Sequence, residues 1–139
     1  TNANELKSLK KSFNSLKIDT GEKNIFSLYE KSKLAIFMYY STGCLETISL
    51  DIPTVVYCPA ELVYQDPAEE QYFKMLNKCK ILSYNIEEFL ENINYILPDV
   101  QKWWCSDDVL KVKKKFIKRY SRVEKGNSVK KISKILKNL

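Results

Sequence analysis

Two short apolar runs, Leu34 to Tyr39 and Thr54 to Tyr57, bracket about a dozen residues that carry Leu45, Ile48 and Leu50 at helical spacing. Neither run alternates apolar with polar side chains, which is the pattern of strands covered on both faces in a parallel sheet. Parallel neighbours need a crossover of this length, so the segment reads as strand, short helix, strand. Asp51-Ile52-Pro53 stops the helix, because proline lacks an N–H and disfavours helical geometry in the residue before it. The alternation then continues. Asp66-Pro67-Ala68-Glu69-Glu70 predicts a helix start, with Tyr72, Phe73, Leu76 and Cys79 inward, followed by a strand at Lys80 to Ser83. Asn85 or its neighbour caps a further helix carrying Ile86, Phe89, Leu90, Ile93 and Ile96-Leu97. Upstream, Leu6, Leu9 and Phe13 mark the end of an amphipathic helix, Leu16 to Ile18 a short strand, and Asn24 the cap of a helix that stops near Ser32. The fold class is α/β, a parallel sheet flanked by helices.

In such a sheet ligands collect beyond the carboxyl ends of the strands, where helix N-termini also point. Ser41-Thr42-Gly43 occupies that position after the first run. Its backbone N–H groups and hydroxyls, at the positive end of a helix, favour an anion such as a phosphate. Glu46 follows one turn later, a carboxylate able to accept hydrogen bonds from a pair of sugar hydroxyls. The plain alternative is a well-capped helix with a solvent-facing acid. A second loop, Asp19-Thr20-Gly21-Glu22, also follows a predicted strand, and Thr20 and Gly21 are candidates to touch a base or ribose, an ordinary connecting turn being the simpler account. Tyr57, Cys58 and Pro59 are candidate walls of the same pocket, and equally ordinary as core and loop.

The chain has no histidine, which removes both the commonest general base and the commonest metal ligand. Cys44, Cys58, Cys79 and Cys105 have no zinc or disulfide spacing and read as reduced thiols. No apolar run approaches the roughly 20 residues that span a bilayer, and the N-terminus has no secretion-signal pattern, so a cytoplasmic location is expected. The sequence opens at Thr1 with a helical segment that runs straight into a strand, and upstream sequence is expected.

Charge is divided sharply along the chain. Residues 109 to 139 carry twelve Lys and Arg against Glu124 alone, 12 − 1 = +11, while residues 1 to 108 carry eleven against sixteen acids, 11 − 16 = −5. Val109, Val112, Phe116 and Tyr120, then Val129, Ile132, Ile135 or Leu136, and Leu139, recur at helical intervals about the break at Lys125-Gly126-Asn127, which predicts a tail of two basic amphipathic helices. Trp103 and Trp104 are candidates to line a sugar subsite by stacking, but anchoring this tail on the sheet is the expected role, with Ser106 as a helix cap. The lysines read as a solvated face. Attraction to an anionic membrane surface is their better functional reading, because nucleic-acid binding lacks the interleaved stacking aromatics it would use.

S-T-G-x-L-E at Ser41 to Glu46, followed by an apolar helix and I-P-T-V-V, resembles the donor-binding segment in the C-terminal half of GT-B glycosyltransferases and the S-G-G-x-x-E segment of nucleotide-sugar 2-epimerases. Asp19 to Glu22, Phe26-Ser27-Leu28 and Lys33-Leu34 fit the same pattern upstream, and Val100-Gln101-Lys102-Trp103-Trp104, Phe116 and Tyr120 are similar to the end of bacterial surface-polysaccharide transferases. The resemblance implies a Rossmann-like donor domain over residues 1 to 108, truncated at its N-terminus, with residues 109 to 139 as a helical tail packed on it. It implies a nucleotide-sugar donor as substrate, with Ser41, Thr42 and Gly43 near the diphosphate and Glu46 near the ribose or sugar, and no metal or other cofactor. The acceptor site and catalytic base would belong to a separate N-terminal domain, leaving a half-enzyme inactive alone. The chain departs from better-known members in having no second acid after Glu46 at the family's distance. The alternative from another class is a non-catalytic binding or scaffolding domain whose basic tail docks a partner or membrane.

Overall fold

The computed structural model describes residues 8, 11–13, 15–19, 21–63 and 67–120. Leu6 and Leu9 of the expected first helix, Thr20, Asp66 and the whole second tail helix lie outside the described residues. The chain divides into two units, Thr1–Lys31 and Ser32–Leu139.

In the first unit α1 spans Ile25–Glu30, where Asn24 accepts at 2.9 Å from the Phe26 N–H, as its place before the apolar residues predicts. Phe26 and Tyr29 meet edge to face at 6.2 Å. Leu16 to Ile18 forms no strand, which corrects the sequence expectation. Three residues of which one is lysine carry too little apolar pattern to specify a pairing register.

The second unit contains a three-stranded parallel sheet, β1 (Ala35–Phe37), β2 (Thr54–Tyr57) and β3 (Leu82–Ser83), in that spatial order. Ala35, Ile36 and Phe37 lie opposite Thr54, Val55 and Val56, and Val56 and Tyr57 opposite Leu82 and Ser83. The connections are α2 (Thr42–Ser49) and α3 (Glu70–Lys78), with α4 (Ile86–Ile96), α5 (Val100–Trp104) and α6 (Asp107–Tyr120) following. Asn85 caps α4 by accepting from the Glu88 N–H at 2.8 Å. The α3 start falls later than Pro67, at Glu70, because residues 67–69 form a turn.

Side chains three apart on a strand point to opposite faces. Thr54 meets Thr47 of α2, Oγ1 to Oγ1 at 2.9 Å, while the Tyr57 ring meets Phe89 of α4 at 5.8 Å. α2 and α4 therefore cover opposite faces of β2. Ile36 shares the α4 side with Val55, yet α4 packs chiefly on β2 and β3, and Ile36 stays 52% exposed. The expectation that the first strand is covered on both faces is thus corrected at β1, which lies at the edge of the described sheet and is shorter than Leu34 to Tyr39. The core joins Ile48, Val55, Val56, Leu76, Ile81, Leu82 and Ile96 to Trp104 and Phe116, so the tryptophans pack in one core with the helix that follows them, α6.

α2 and α3 end in the same way. The Ile52 N–H bonds the Thr47 carbonyl and the Asp51 N–H that of Ile48; likewise Ile81 bonds Leu76 and Lys80 bonds Asn77. In this motif the residue after the cap takes a left-handed conformation, usually as glycine. Here Asp51 (φ 60°) and Lys80 (φ 64°) adopt it, each tied down by its side chain. Asp51 Oδ1 accepts from Trp104 Nε1 at 3.0 Å and Lys113 Nζ at 2.6 Å. Lys80 Nζ reaches Asn92 Oδ1 at 3.1 Å and lies over the Tyr95 ring.

Candidate functional site

Ser41 is the N-cap of α2 in extended geometry, φ −140° and ψ 170°, but its side chain makes no capping hydrogen bond. Its Oγ instead lies 3.7 Å from the buried Cys44 thiol, which is itself 3.6 Å from the Tyr39 carbonyl. Helix geometry leaves the Thr42 and Gly43 N–H groups without an intrahelical acceptor. Thr42 and Glu46 are exposed one turn apart on the same face, and among the described residues Glu46 has no ion pair. The opposite face of α2 is fixed by Cys44, Thr47 and Ile48, all buried. Thr47 Oγ1 lies 3.0 Å from the Gly43 carbonyl, which ties the first turn of the helix to Thr54 and hence to β2. Of the six predicted residues, Ser41, Thr42, Gly43 and Glu46 therefore sit on one end of one helix, at the carboxyl end of β1.

Gly21 belongs to the first unit, at φ 90°, where only glycine is unstrained. Its N–H lies 3.3 Å from Asp19 Oδ1, a local turn closed on itself. Tyr57 and Cys58 act as core and ladder: Tyr57 packs on Phe89, and the Cys58 N–H continues the β2–β3 pairing at 3.0 Å from the Ser83 carbonyl.

Beside the α2 turn stands a cluster that sequence spacing does not reveal. Tyr40, next to Ser41, packs edge to face on Phe73 at 5.1 Å, and burial first, then Tyr120, Cys44 and Glu69, push its hydroxyl well above the ordinary tyrosine range. Glu69 is hydrogen bonded and ion paired to Arg119 and bonded by the Tyr120 hydroxyl. Arg119 foremost, then Tyr120, hold the Glu69 carboxyl below the usual carboxylate range. The bond joins residues 50 apart, from either end of the α3–α6 pair, and only the fold brings them together. Burial also raises the Cys44 thiol, so Cys44 carries a neutral S–H beside Ser41.

A groove of about 450 Å³ runs along the same helix pair, lined by Gln71, Tyr72, Met75, Lys115, Lys118 and Arg119. A second hollow of about 340 Å³ shares Met75 and adds Lys78, Cys79, Asp108, Lys111 and Val112. Among the described residues no three His, Cys, Asp or Glu come together as a metal site, and no helix is long and apolar enough to cross a membrane.

The model of the LIC12162 family transferases matches residues 1–136, and the chain belongs to that family. Neither the comparison with curated proteins nor that with solved structures finds a match.

Proposed function

We propose that this member of a transferase family holds a nucleotide-activated sugar at the α2 turn, in a Rossmann-like sheet that corresponds to the donor side of a GT-B glycosyltransferase of surface carbohydrate biosynthesis. The observation that carries the reading is the Ser41 side chain, at the N-cap of α2 yet bonded to no backbone N–H of the helix and meeting only the Cys44 thiol, beside exposed Thr42 and Glu46 on one face. A hydroxyl at this position normally caps; one held only by a long contact to a thiol can turn to a ligand. The Thr42 and Gly43 N–H groups and the helix dipole would meet a diphosphate, and Glu46 a ribose or sugar hydroxyl pair. Charge grows on the leaving diphosphate as the sugar departs. Fixed N–H donors aimed at it stabilise the transition state more than the substrate, which is how this end of the molecule accelerates transfer. The acceptor and its base would come from a separate domain.

An amide titration with nucleoside diphosphates and nucleotide sugars tests this. Shifts confined to Ser41 through Glu46 at millimolar ligand, lost in Ser41→Ala, are the expected result. Resonances of that turn left unmoved would remove the donor site.

A further inference from the structure

The outer face of α6 points to a second binding activity, independent of the donor turn. Of the six cations of this helix, Lys113 is buried against Asp51 and Arg119 is paired with Glu69. The remaining four, Lys111, Lys114, Lys115 and Lys118, are exposed and have no ion pair among the described residues. At 100° per residue they fall within about a third of the helix circumference and span about 10 Å of its axis. A stripe so dense repels itself, and nothing in its own helix relieves that beyond Asp107 and Asp108 in the first turn.

The stripe borders the two hollows between α3 and α6, whose common floor is Met75. Lys78 and Lys111 stand at one end and Lys115 and Lys118 at the other, where the Tyr72 ring packs on Tyr120. We infer that this lysine-rimmed groove docks the chain on an anionic lipid bilayer, the lysines meeting headgroup phosphates and the Met75 floor accepting the apolar region beneath them. Charge complementarity selects the occupant. The cations are lysines, which act as point charges toward phosphates, and no exposed aromatic is interleaved with them on the α6 face as a stacked base would need. Leu110, 44% exposed on the same helix, adds apolar area suited to the headgroup boundary. Sequence beyond Tyr120 adds Arg122, Lys125, Lys130, Lys131, Lys134 and Lys137 against Glu124, so the same attraction grows along the chain.

Flotation of the full chain with phosphatidylglycerol-containing vesicles, against pure phosphatidylcholine vesicles and a single-stranded oligonucleotide, tests the inference. Binding to the anionic vesicles is expected, falling steeply between about 50 and 200 mM salt as screening shortens. Each Lys→Gln at 111, 114, 115 or 118 should weaken it about fivefold and the quadruple variant several hundredfold, with the quadruple Lys→Arg variant retaining it and far-ultraviolet dichroism unchanged in both. Equal flotation with neutral vesicles, a quadruple Gln variant that binds as well as the parent, or tighter capture by the oligonucleotide would each overturn it.

Discussion

Ser41 and Asn85 are both N-caps in extended geometry, and they do opposite things with the same opportunity. Asn85 Oδ1 accepts from the Glu88 N–H, whereas Ser41 Oγ turns to Cys44 Sγ. Asn85→Ala should therefore cost about 1 kcal/mol, the ordinary loss of a cap. Ser41→Ala should change stability by less than about 0.5 kcal/mol, while abolishing the donor-induced amide shifts; urea unfolding of the two variants measures the difference. Asp51 carries a heavier load. It is one of two non-glycine residues in the left-handed region among those described, it accepts from Trp104, and it neutralises Lys113, whose side chain is 6% exposed and lies 4.1 Å from the centre of the Trp104 ring. Asp51→Ala strands that lysine and keeps the backbone strain. The loss should be about 2 kcal/mol, below that of a fully buried pair because the Asp51 side chain is 76% exposed and water screens it. Asp51→Asn keeps the tolerance for positive φ and an acceptor for Trp104, and should lose about half as much by the same unfolding midpoint. No sequence signal marks Asp51, because the position it fills is usually written as glycine.

α2 and β2 were legible because several local signals agree: apolar spacing, a hydroxyl turn at the start and Pro53 at the end. β1 was legible as a strand but not in its extent or exposure, since apolar composition says nothing about where a covering helix runs out. α3 shows the limit of start signals. Pro67 and its acids form a turn, and Glu69, read as part of the first helical turn, instead bonds Arg119 and Tyr120 at the far end of α6. That long-range pairing had no local trace, and it makes the α3–α6 contact responsive to acid. The folded-state pKa of Glu69 lies below its unfolded value of about 4.3, so its contribution is complete above that value and disappears as pH falls through the folded pKa. Near-ultraviolet tyrosine dichroism should accordingly change below about pH 4, before the far-ultraviolet signal, and Glu69→Gln should remove that early step. Tyr120, raised by burial and by Glu69, works in the other direction: its contribution is complete below the unfolded tyrosine value of about 10 and is lost as pH rises above it.

Charge and chemistry are separated along the molecule, with −5 in residues 1 to 108 and +11 in the rest. The proposed donor turn lies in the acidic part, so its affinity for a diphosphate must come from oriented N–H groups and not from net charge. Oriented dipoles stabilise a leaving group but do not remove a proton from an acceptor. The groups nearest the turn are poorly suited to serve as that base, since Cys44 and Tyr40 have their protons held by burial and Glu69 is occupied by Arg119 and Tyr120. Glu46 is exposed, and the chain contains no histidine. Binding and turnover should therefore separate in this chain. At a donor concentration about 100 times the dissociation constant, linkage predicts a stabilisation of about 2.7 kcal/mol, read as a rise in melting temperature. Over the same range no sugar should reach any acceptor offered, and release of nucleoside diphosphate should stay at the uncatalysed rate. Ser41→Ala should lose the thermal shift while keeping the melting temperature of the unliganded protein. Transfer by these 139 residues alone would locate a working base within them and make Glu46 the first carboxylate to replace with glutamine. A thermal shift without transfer would leave the molecule as the part that holds the donor and drains charge from its departing diphosphate.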